Sequence, residues 1–223
     1  MSKTALVVFV KEPIAGKVKT RLIPPLTKQE AADLYSLFIQ DSFQRYKQLI
    51  HLVDIHYFFA PENGCTQLQS LLPEQRSWHP QTGNNLGERM HNAFIEMLNT
   101  YRSVLIIGSD HPNLPITYIR KAITVLEYVD ISIGPSNDGG YYCIGLKRAN
   151  RNLFEGINWS TKEVYPETTK RIATEKLEPF ILPDWYDIDD SDDLKRFISD
   201  TDQSEYPLLY DYLKTIDSLS DLL

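Results

Sequence analysis

The stretch T-A-L-V-V-F-V-K-E-P-I-A-G-K-V-K-T-R-L, Thr4–Leu22, joins a short apolar run to a basic loop. The run Thr4–Val10 is continuous and rich in β-branched residues, which is typical of a strand buried on both faces of a parallel sheet. The following Lys11–Leu22 carries four basic side chains and one acid, Glu12, in a chain whose net charge is -7. A cationic loop after the first strand of an acidic protein indicates a local anion site.

The rest of the chain alternates strand-like and helix-like segments. Short apolar runs predict further strands at 52–59, 104–108, 130–134, 141–146 and 179–182. Helical spacing of apolar residues and capping residues predict helices that open near Thr27, Asn85, Ile116, Ser160 and Ser191. The helix near Ser160 is predicted from a capping box of Ser160 and Glu163. Residues 61–85 are expected to be loop. This alternation predicts an α/β fold with a mostly parallel sheet.

The length of the chain limits the number of domains, and its charge limits the kinds of partner. The 223 residues suit a single domain, 1–223, with an acidic amphipathic extension over 199–223 that is expected to be helical. That extension is expected to pack on its own body or on a second subunit, so a homodimer stays open. The balance of 23 basic and 30 acidic residues argues against nonspecific nucleic-acid binding, which needs a positive surface.

The cysteines and the apolar runs favour a cytoplasmic protein. Cys65 and Cys143 are the two cysteines and lie far apart in the sequence, so both are expected to be reduced, as in intracellular proteins. No apolar run approaches the ~18 residues that a membrane span needs. The amino-terminal M-S-K-T leads straight into the first predicted strand, which is unlike a signal peptide.

The basic loop has the residues of a phosphate site. Gly16 lets the backbone approach an anion closely, and Arg21 can hold a phosphate through two parallel hydrogen bonds. Lys17, Lys19 and Arg21 alternate, so they would share one side of an extended loop. An ordinary solvated loop is the alternative. The sequence lacks both G-x-x-x-x-G-K-[ST] and G-x-G-x-x-G, which excludes a Walker loop and a dinucleotide fingerprint.

Acidic side chains follow other predicted strands, whose carboxyl ends gather the ligand-binding loops of a parallel sheet. Asp110 is placed to hold a hard divalent cation such as Mg²⁺, or alternatively to cap a helix. Gly139 and Gly140 favour either a tight turn or a backbone-lined pocket for a sugar or base, beside Asp138, which could bind a hydroxyl or a metal. The aspartates of D-I-D-D-S-D-D, 187–193, would repel each other unless a cation lies between them. The alternative is that these residues only cap the next helix.

Six motifs occur in a fixed order along the chain: K-E-P-I-A-G-K-V-K-T-R-L, Q-T-G-N-N-L-G-E-R-M, G-S-D-H-P-N-L-P, G-P-S-N-D-G-G-Y-Y-C-I-G-L, L-F-E-G-I-N-W-S-T and D-I-D-D-S-D-D-L. As a set they resemble a bacterial glycosyltransferase-like family of the nucleotide-diphospho-sugar transferase (GT-A) superfamily, over about Leu6 to Phe197. That family is similar to 2-phospho-L-lactate guanylyltransferase. The resemblance implies a Rossmann-like three-layer sandwich with a mostly parallel, mixed sheet.

The resemblance also implies roles for single residues. In the similar enzymes the first basic loop binds nucleotide phosphates, which points to Lys17, Lys19 and Arg21. An aspartate after a central strand binds Mg²⁺ in the superfamily, and Asp110 matches it. A late D-x-D-T-P-E-D-L motif supplies a second metal aspartate, which Asp189 matches, although D-S-D replaces T-P-E here.

Two further stretches are assigned to the pocket. The motif Q-T-G-N-N-L-G-E-R-M precedes a helix whose amino end can face an anion. From it the pocket is expected to receive Gln81, Gly83 and Arg89. The acceptor side is assigned to Trp159, Ser160 and Thr161. Core packing is the alternative for the tryptophan.

Three functions stay open. The first is a Mg²⁺- or Mn²⁺-dependent glycosyltransferase in which Asp110 and Asp189 hold the metal on a nucleotide-sugar and Asp138 is the acceptor base. The second is a nucleotidyltransferase that joins an NTP to a phosphorylated small-molecule acceptor, with Lys11 and Arg89 as cations for the acceptor phosphate. The third is a nucleotide- or sugar-binding accessory protein without turnover. The family resemblance favours glycosyl transfer.

Overall fold

The apolar run at the start of the chain lies at the centre of the structure. In the computed structural model, which describes residues 4–62 and 64–222, it forms a strand whose residues are buried up to Val10. The described residues contain a seven-stranded sheet. Its strands are β1 Thr4–Lys11, β2 Val53–Ala60, β3 Trp78–Pro80, β4 Ser103–Ile107, β5 Ile131–Pro135, β6 Tyr141–Leu146 and β7 Pro179–Ile181.

The sheet has the strand order β3-β2-β1-β4-β6-β5-β7. β1 pairs in parallel with β2 and β4, and the pairs β2–β3 and β5–β7 are also parallel. β6 runs antiparallel to both of its neighbours, β4 and β5. The predicted α/β fold with a mostly parallel, mixed sheet is therefore confirmed. Because β1, β4 and β5 run in one direction, the loops that follow them emerge at one edge of the sheet.

Helices cover both faces of this sheet and complete the predicted three layers. They are α1 Lys28–Tyr46, α2 Thr66–Leu71, α3 Leu86–Leu98, α4 Ile116–Val125, α5 Val164–Thr174, α6 Ser191–Asp200 and α7 Pro207–Leu213. Apolar residues of α1, α4, α6 and α7 pack on one face of the sheet, and those of α3 and α5 pack on the other. Within the described ranges, no helix has the length and apolar character needed to cross a membrane.

The segment 61–85 differs from the loop that the sequence predicts. It contains the helix α2 and the edge strand β3. The physical reason is their length, since α2 has six residues and β3 has three. An apolar period needs a longer window before it becomes visible in a sequence.

The predicted capping box of Ser160 and Glu163 is wrong. Ser160 has a φ of 64°, and α5 begins only at Val164, with no side-chain hydrogen bond at its cap. The Thr161 hydroxyl instead donates to the carbonyl of Asn158 (2.8 Å). This turn replaces the first helical turn that the sequence predicts.

The acidic segment over 199–222 packs on the body of the same chain, but it is broken into short pieces. It contains the end of α6, two 3₁₀ turns at Gln203–Glu205 and Asp217–Leu222, and α7 between them. Pro207 occupies the first turn of α7, where its missing N–H costs no helical hydrogen bond. The Tyr212 hydroxyl of α7 donates to a carbonyl of α1 (3.4 Å).

Two buried polar side chains tie the ends of neighbouring strands together. The Tyr35 hydroxyl of α1 accepts a hydrogen bond from the Lys11 N–H (2.9 Å) and shares another with the Ser109 hydroxyl (2.7 Å). The amide nitrogen of Gln81 donates to one carbonyl of β1 (3.1 Å) and one of β2 (2.8 Å). These bonds fix the ends of β1, β2 and β4 relative to α1.

Replacing Tyr35 by phenylalanine is expected to destabilise the protein. Tyr35 is 2% exposed and Ser109 is 4% exposed, so the lost hydroxyl leaves a buried serine without this partner. We expect Tyr35→Phe to lower the free energy of unfolding by about 1–3 kcal/mol, measured by urea denaturation. The matched control is Tyr128→Phe, because Tyr128 is 78% exposed. Equal unfolding free energies for the two variants would contradict a stabilising role of the Tyr35 hydroxyl.

Candidate active site

The loop after β1 turns one of its lysine side chains inward. Lys19 has a left-handed backbone, with φ 46° and ψ 40°, directly before a 3₁₀ turn. Its side chain is 3% exposed, and its ammonium lies over the rings of Tyr35 and Phe38 of α1. Lys17 and Arg21 stay exposed. The expectation of three cations along one side of an extended loop is not met, because the loop folds into a turn.

The Lys19 ammonium is shared by two carboxylates from distant parts of the chain. It forms ion pairs with Asp110, which follows β4, and with Asp189, at 3.1 Å to the latter. Arg21 pairs with the other oxygen of Asp189 (Nη2 to Oδ2, 2.5 Å). The N–H of Ile188 donates to the carbonyl of Asp110 (2.8 Å) and holds the two acidic loops side by side. The basic loop and both acidic loops therefore meet at one point.

Burial and charge act in opposite directions in this cluster. Burial alone would raise the pKa of Asp110, but the ammonium groups of Lys19 and Lys11 outweigh it and hold that pKa at about 2. Burial alone would lower the pKa of Lys19, but Asp110 and Asp189 raise that pKa above its ordinary value. Asp110 is therefore ionised at neutral pH and is too weak a base to take a proton from an acceptor.

A second hydrogen-bonded chain lies between the loop after β5 and the loop that carries Asp189. The Ser136 hydroxyl contacts the carboxylates of Asp138 and Asp187, the latter at 3.0 Å. The other oxygen of Asp187 lies 3.0 Å from Nδ1 of His111. Asp138 also accepts a hydrogen bond from the Gly140 N–H (2.9 Å). Asp187 thus joins the loop after β4 to the turn between β5 and β6.

These polar residues line a cleft of about 490 Å³ that also has an apolar wall. Its apolar lining includes Phe9, Leu86, Met90, Tyr141 and Trp159. Trp159 lies directly over Gly87, where a Cβ would come within 2.5 Å of the indole. Leu86 is 42% exposed, so the start of α3 presents an apolar side chain to the cleft. A cleft with both charged and aromatic walls suits a ligand that has phosphates and a flat ring.

The structure brings most of the predicted site residues to this cleft. Those in its lining are Lys11, Arg21, Gln81, Asp110, Asp138, Gly140, Trp159, Ser160, Thr161 and Asp189. Lys19 lies behind the lining, between its two carboxylates. The nitrogen of Gln81 is already bound to strand carbonyls, so only its side-chain oxygen is available to a ligand. The roles of these residues toward a nucleotide stay predictions.

The other predicted residues lie outside the cleft lining: Gly16, Lys17, Gly83, Arg89 and Gly139. Nε of Arg89 donates to the Gly83 carbonyl (3.1 Å), so this side chain is turned toward its own loop. Gly139 has a φ of 91°, and a Cβ there would come within 2.4 Å of the Lys162 backbone. Gly139 therefore lets two loops pack closely.

Several cleft residues were missed by the sequence reasoning: Tyr35, Ser136, Tyr141, Lys162 and Asp187. Tyr35 has the helical spacing of a core residue, which hides its hydroxyl contacts. Asp187 belongs to the crowded acidic run, so the cost of crowding was a usable signal. Ser136 and Lys162 had no signal of their own, because the contact between their loops forms only in the folded chain.

The donor atoms of the charge cluster fit the divalent ion that the sequence predicts. Asp110 and Asp189 are close enough to share one cation, since the Lys19 ammonium contacts both. Carboxylate oxygens are the ligands that Mg²⁺ and Mn²⁺ prefer, so the chemistry of the donors fits. In the part of the chain that the structure describes, no group of three or more His, Cys, Asp or Glu side chains is arranged around a metal position. Phosphate oxygens and water would have to complete the coordination.

The fold and the cleft suit an α/β transferase that uses a nucleotide, and comparisons with known proteins agree. The chain belongs to a family described as an uncharacterized protein conserved in bacteria (DUF2064), whose model matches residues 47–161. A solved structure from Desulfovibrio desulfuricans G20, provisionally named a nucleotide-diphospho-sugar transferase, is similar with a TM-score of 0.90. The identity is 34%, and the match covers 100% of this chain and 97% of that one.

One guanylyltransferase and one cytidylyltransferase are also similar to this chain. A 2-phospho-L-lactate guanylyltransferase of Methanobrevibacter ruminantium is 25% identical over 190 residues, 80% of this chain and 79% of that protein. A cytidylyltransferase from Leptospira borgpetersenii shares the fold, with a TM-score of 0.56, 14% identity and coverage of 100% and 97%. The predicted family resemblance and the predicted class, a nucleotide-dependent transferase, are therefore confirmed. These names do not decide between glycosyl and nucleotidyl transfer.

Removing the Lys19 ammonium is expected to raise the pKa of Asp110. In the wild-type protein, the carboxyl carbon of Asp110 should titrate with a midpoint of about 2 in ¹³C NMR. Lys19→Met should move this midpoint upward, because burial of the carboxylate is then less opposed by positive charge. Lys17→Met is the matched control from the same loop, and it should leave the midpoint unchanged. An unchanged midpoint in Lys19→Met would show that the ion pair is absent in solution.

The same pKa shift predicts a pH dependence of stability. The pKa of Asp110 is about 2 in the folded chain and 3.8 for an unperturbed aspartate, so its ionised form stabilises the fold above about pH 4. This stabilisation is lost as the pH falls toward 2. The difference in unfolding free energy between wild type and Asp110→Asn should shrink over that range. If the difference between wild type and Asp110→Asn stays constant from pH 5 to the lowest pH at which the protein folds, ionisation of Asp110 does not stabilise the fold.

Proposed function

We propose that this protein is a nucleotidyltransferase that joins an NTP to a small phosphorylated acceptor and releases pyrophosphate. The observation that carries the proposal is the charge cluster of Lys19, Arg21, Asp110 and Asp189 at the cleft. It offers cations to a polyphosphate and paired carboxylates to a divalent ion. The similarity to a guanylyltransferase along 190 residues supports the same reaction class.

The donor triphosphate is assigned to the cations of the first loop. Arg21 and Lys11 line the cleft, and the Arg21 side chain is 63% exposed, so it can turn from Asp189 to a phosphate. A guanidinium binds phosphate oxygens through two parallel hydrogen bonds. Lys19 lies behind this lining as a third cation of the same loop. The apolar wall with Phe9 is assigned to the base.

The acceptor is assigned to the part of the cleft lined by Trp159, Ser160, Thr161 and Lys162. Lys162 adds a positive charge there, which suits an acceptor that carries a phosphate. An ionised phosphate attacks without losing a proton, so its reaction needs no general base. This fits the state of Asp110, whose pKa of about 2 makes it a poor base.

In the reaction, an oxygen of the acceptor phosphate forms a bond to the α-phosphorus of the NTP. The bond between that phosphorus and the oxygen leading to the β-phosphate breaks, and its electron pair leaves with pyrophosphate. Arg21 and Lys19 stabilise the negative charge that develops on the leaving group. The Ser136–Asp187–His111 chain holds the turn between β5 and β6 in position relative to the loop after β4.

Mg²⁺ or Mn²⁺ is the cofactor that we assign to this reaction. Asp110 and Asp189 would hold it, and it would supply additional positive charge next to the donor phosphates. The Lys19 ammonium, which pairs with both carboxylates in the free protein, would then be available to the phosphates.

Glycosyl transfer from a nucleotide-sugar is the second candidate. The specific observation in its favour is the similarity to the Desulfovibrio desulfuricans protein, at 34% identity over the whole chain. In this reaction the acceptor is a hydroxyl, which needs a base, and Asp138 would have to serve. Asp138 is exposed in the cleft, but one of its oxygens holds the Gly140 N–H and contacts Ser136.

Product analysis separates the two reactions. Purified protein with Mg²⁺ would be incubated with GTP and 2-phospho-L-lactate, then with the other NTPs and phosphorylated acids, and followed by ³¹P NMR. We expect pyrophosphate together with the signals of a new phosphoanhydride. Release of a nucleoside diphosphate from a nucleotide-sugar, with no pyrophosphate from any NTP, would identify a glycosyltransferase instead. Nucleotide binding without either product would identify an accessory protein.

Loss of the Asp110 carboxylate is expected to abolish most of the activity. Asp110→Asn should lower kcat by roughly 100-fold or more, since a group acting on developing charge contributes on that scale. The control is Asp211→Asn on α7, where the side chain is 74% exposed and far from the cluster in sequence. Pyrophosphate release by both variants at the wild-type rate would refute the role of Asp110.

A further inference from the structure

The ion pairs of the charge cluster engage the carboxylates that a metal ion would need. Oδ1 of Asp189 lies 3.1 Å from the Lys19 ammonium, and Oδ2 lies 2.5 Å from Nη2 of Arg21. Oδ1 of Asp110 is also paired with Lys19. Both oxygens of Asp189 are thus held by side-chain cations in the free protein. A divalent ion would have to displace one of these cations before it could bind to Asp189.

The two cations differ in how easily they can leave. The Lys19 side chain is 3% exposed, and its ammonium lies over the rings of Tyr35 and Phe38, 5.9 and 5.6 Å from their centroids. The Arg21 side chain is 63% exposed and lines the cleft. An exposed ion pair contributes little stability, because water and salt screen it. Arg21 is therefore the cation that leaves Asp189 first.

Two carboxylates alone make a weak site for a hard divalent ion. In the part of the chain that the structure describes, no third histidine, cysteine or acidic side chain completes a metal position with Asp110 and Asp189. Mg²⁺ is commonly held by one or two carboxylates together with water and substrate phosphates. Phosphates would also give Arg21 a new partner, because a guanidinium binds phosphate through two parallel hydrogen bonds. Phosphate binding would therefore favour metal binding in two ways.

We propose that the Arg21–Asp189 ion pair blocks the divalent ion in the free protein and opens when the phosphates of a nucleotide bind the Arg21 guanidinium. The metal then enters the cleft together with the nucleotide and not before it. By linkage, the phosphates raise the metal affinity by the same factor by which the metal raises the phosphate affinity. This regulation rests on the proposed function for the identity of the ligand, a nucleoside triphosphate, but not for the reaction that follows.

A purely structural ion pair would behave differently from a blocking one. If Arg21 only fixed the first loop against the loop before α6, its removal would loosen the cleft and weaken the binding of metal and nucleotide alike. If Arg21 blocks Asp189, its removal has opposite effects on the two ligands. The metal binds more tightly because a carboxylate oxygen is freed, and the nucleotide binds more weakly because its phosphates lose a partner. The signs of the two effects therefore distinguish the two roles.

Titration of the metal-stripped full chain with Mn²⁺ alone tests the metal side of the proposal. EPR spectroscopy follows the signal of free Mn²⁺, which falls as the ion binds. Arg21→Gln should raise the affinity for Mn²⁺ roughly 3- to 5-fold, near the upper end for an exposed ion pair. Lys17→Gln removes the same charge from an exposed position of the same loop outside the cleft lining, and it should leave the affinity unchanged. Adding Asp189→Asn to Arg21→Gln should cancel the gain.

Calorimetric titration with GTP in the presence of EDTA tests the nucleotide side. Without metal, Arg21→Gln should weaken GTP binding roughly 10-fold or more, because hydrogen bonds between a charged donor and a phosphate are lost. Lys17→Gln again serves as the control and should bind GTP like the wild type. Melting temperatures measured without ligand show whether each variant is folded.

Equal Mn²⁺ affinities of Arg21→Gln and Lys17→Gln, including no binding by either, would overturn the proposal. Weaker binding of both Mn²⁺ and GTP by Arg21→Gln would also overturn it. These results are separate from the product analysis. Tighter Mn²⁺ binding and weaker GTP binding by Arg21→Gln would support the blocking role even if the ³¹P spectra show no pyrophosphate. Pyrophosphate formation by the wild type, without a gain in Mn²⁺ affinity in Arg21→Gln, would support the reaction and refute the blocking role.

Discussion

The buried ammonium of Lys19, shared by Asp110 and Asp189, is the interaction on which the arrangement of the cleft depends. An ammonium that is 3% exposed costs several kcal/mol in lost hydration unless opposite charges surround it. The two carboxylates come from loops that are distant in sequence, and each is held close to the other by the Ile188 hydrogen bond to Asp110. One ion-pair network therefore joins the first loop of the chain to the loops after β4 and before α6. Loss of Lys19 would remove the ion-pair partner of Asp110, whereas loss of Asp110 would leave Lys19 with Asp189 alone.

The same network explains how a protein of net charge -7 can bind a polyphosphate. In the free protein, Lys19 and Arg21 are neutralised by aspartates, so the cleft holds no large excess of either charge. A nucleotide would supply negative charge to Lys19 and Arg21, and its divalent ion would supply positive charge to Asp110 and Asp189. Asp110 acts through its permanent negative charge, because a carboxyl with a pKa of about 2 neither gives nor takes protons at neutral pH.

Much of the fold can be predicted from the sequence, because its patterns of apolar residues are compatible with few arrangements of strands and helices. A continuous apolar run such as Thr4–Val10 fits a strand covered on both faces, and the parallel sheet then gathers the loops with Asp110 and Arg21 at one edge. The inward turn of Lys19 had no sequence signal, since its left-handed backbone is a conformation that lysine rarely adopts. Tyr35 showed only the spacing of a core residue. Contacts between distant loops formed the rest of the site, and a single sequence does not reveal them.

A crystal structure with a non-hydrolysable NTP analogue and Mn²⁺ tests the central claim most directly. The anomalous signal of manganese would locate the metal independently of the protein density. The account predicts manganese on Asp110 and Asp189, with Lys19 and Arg21 in hydrogen-bond contact with the phosphates. Phosphates bound elsewhere, with Lys19 still paired to both aspartates, would contradict it.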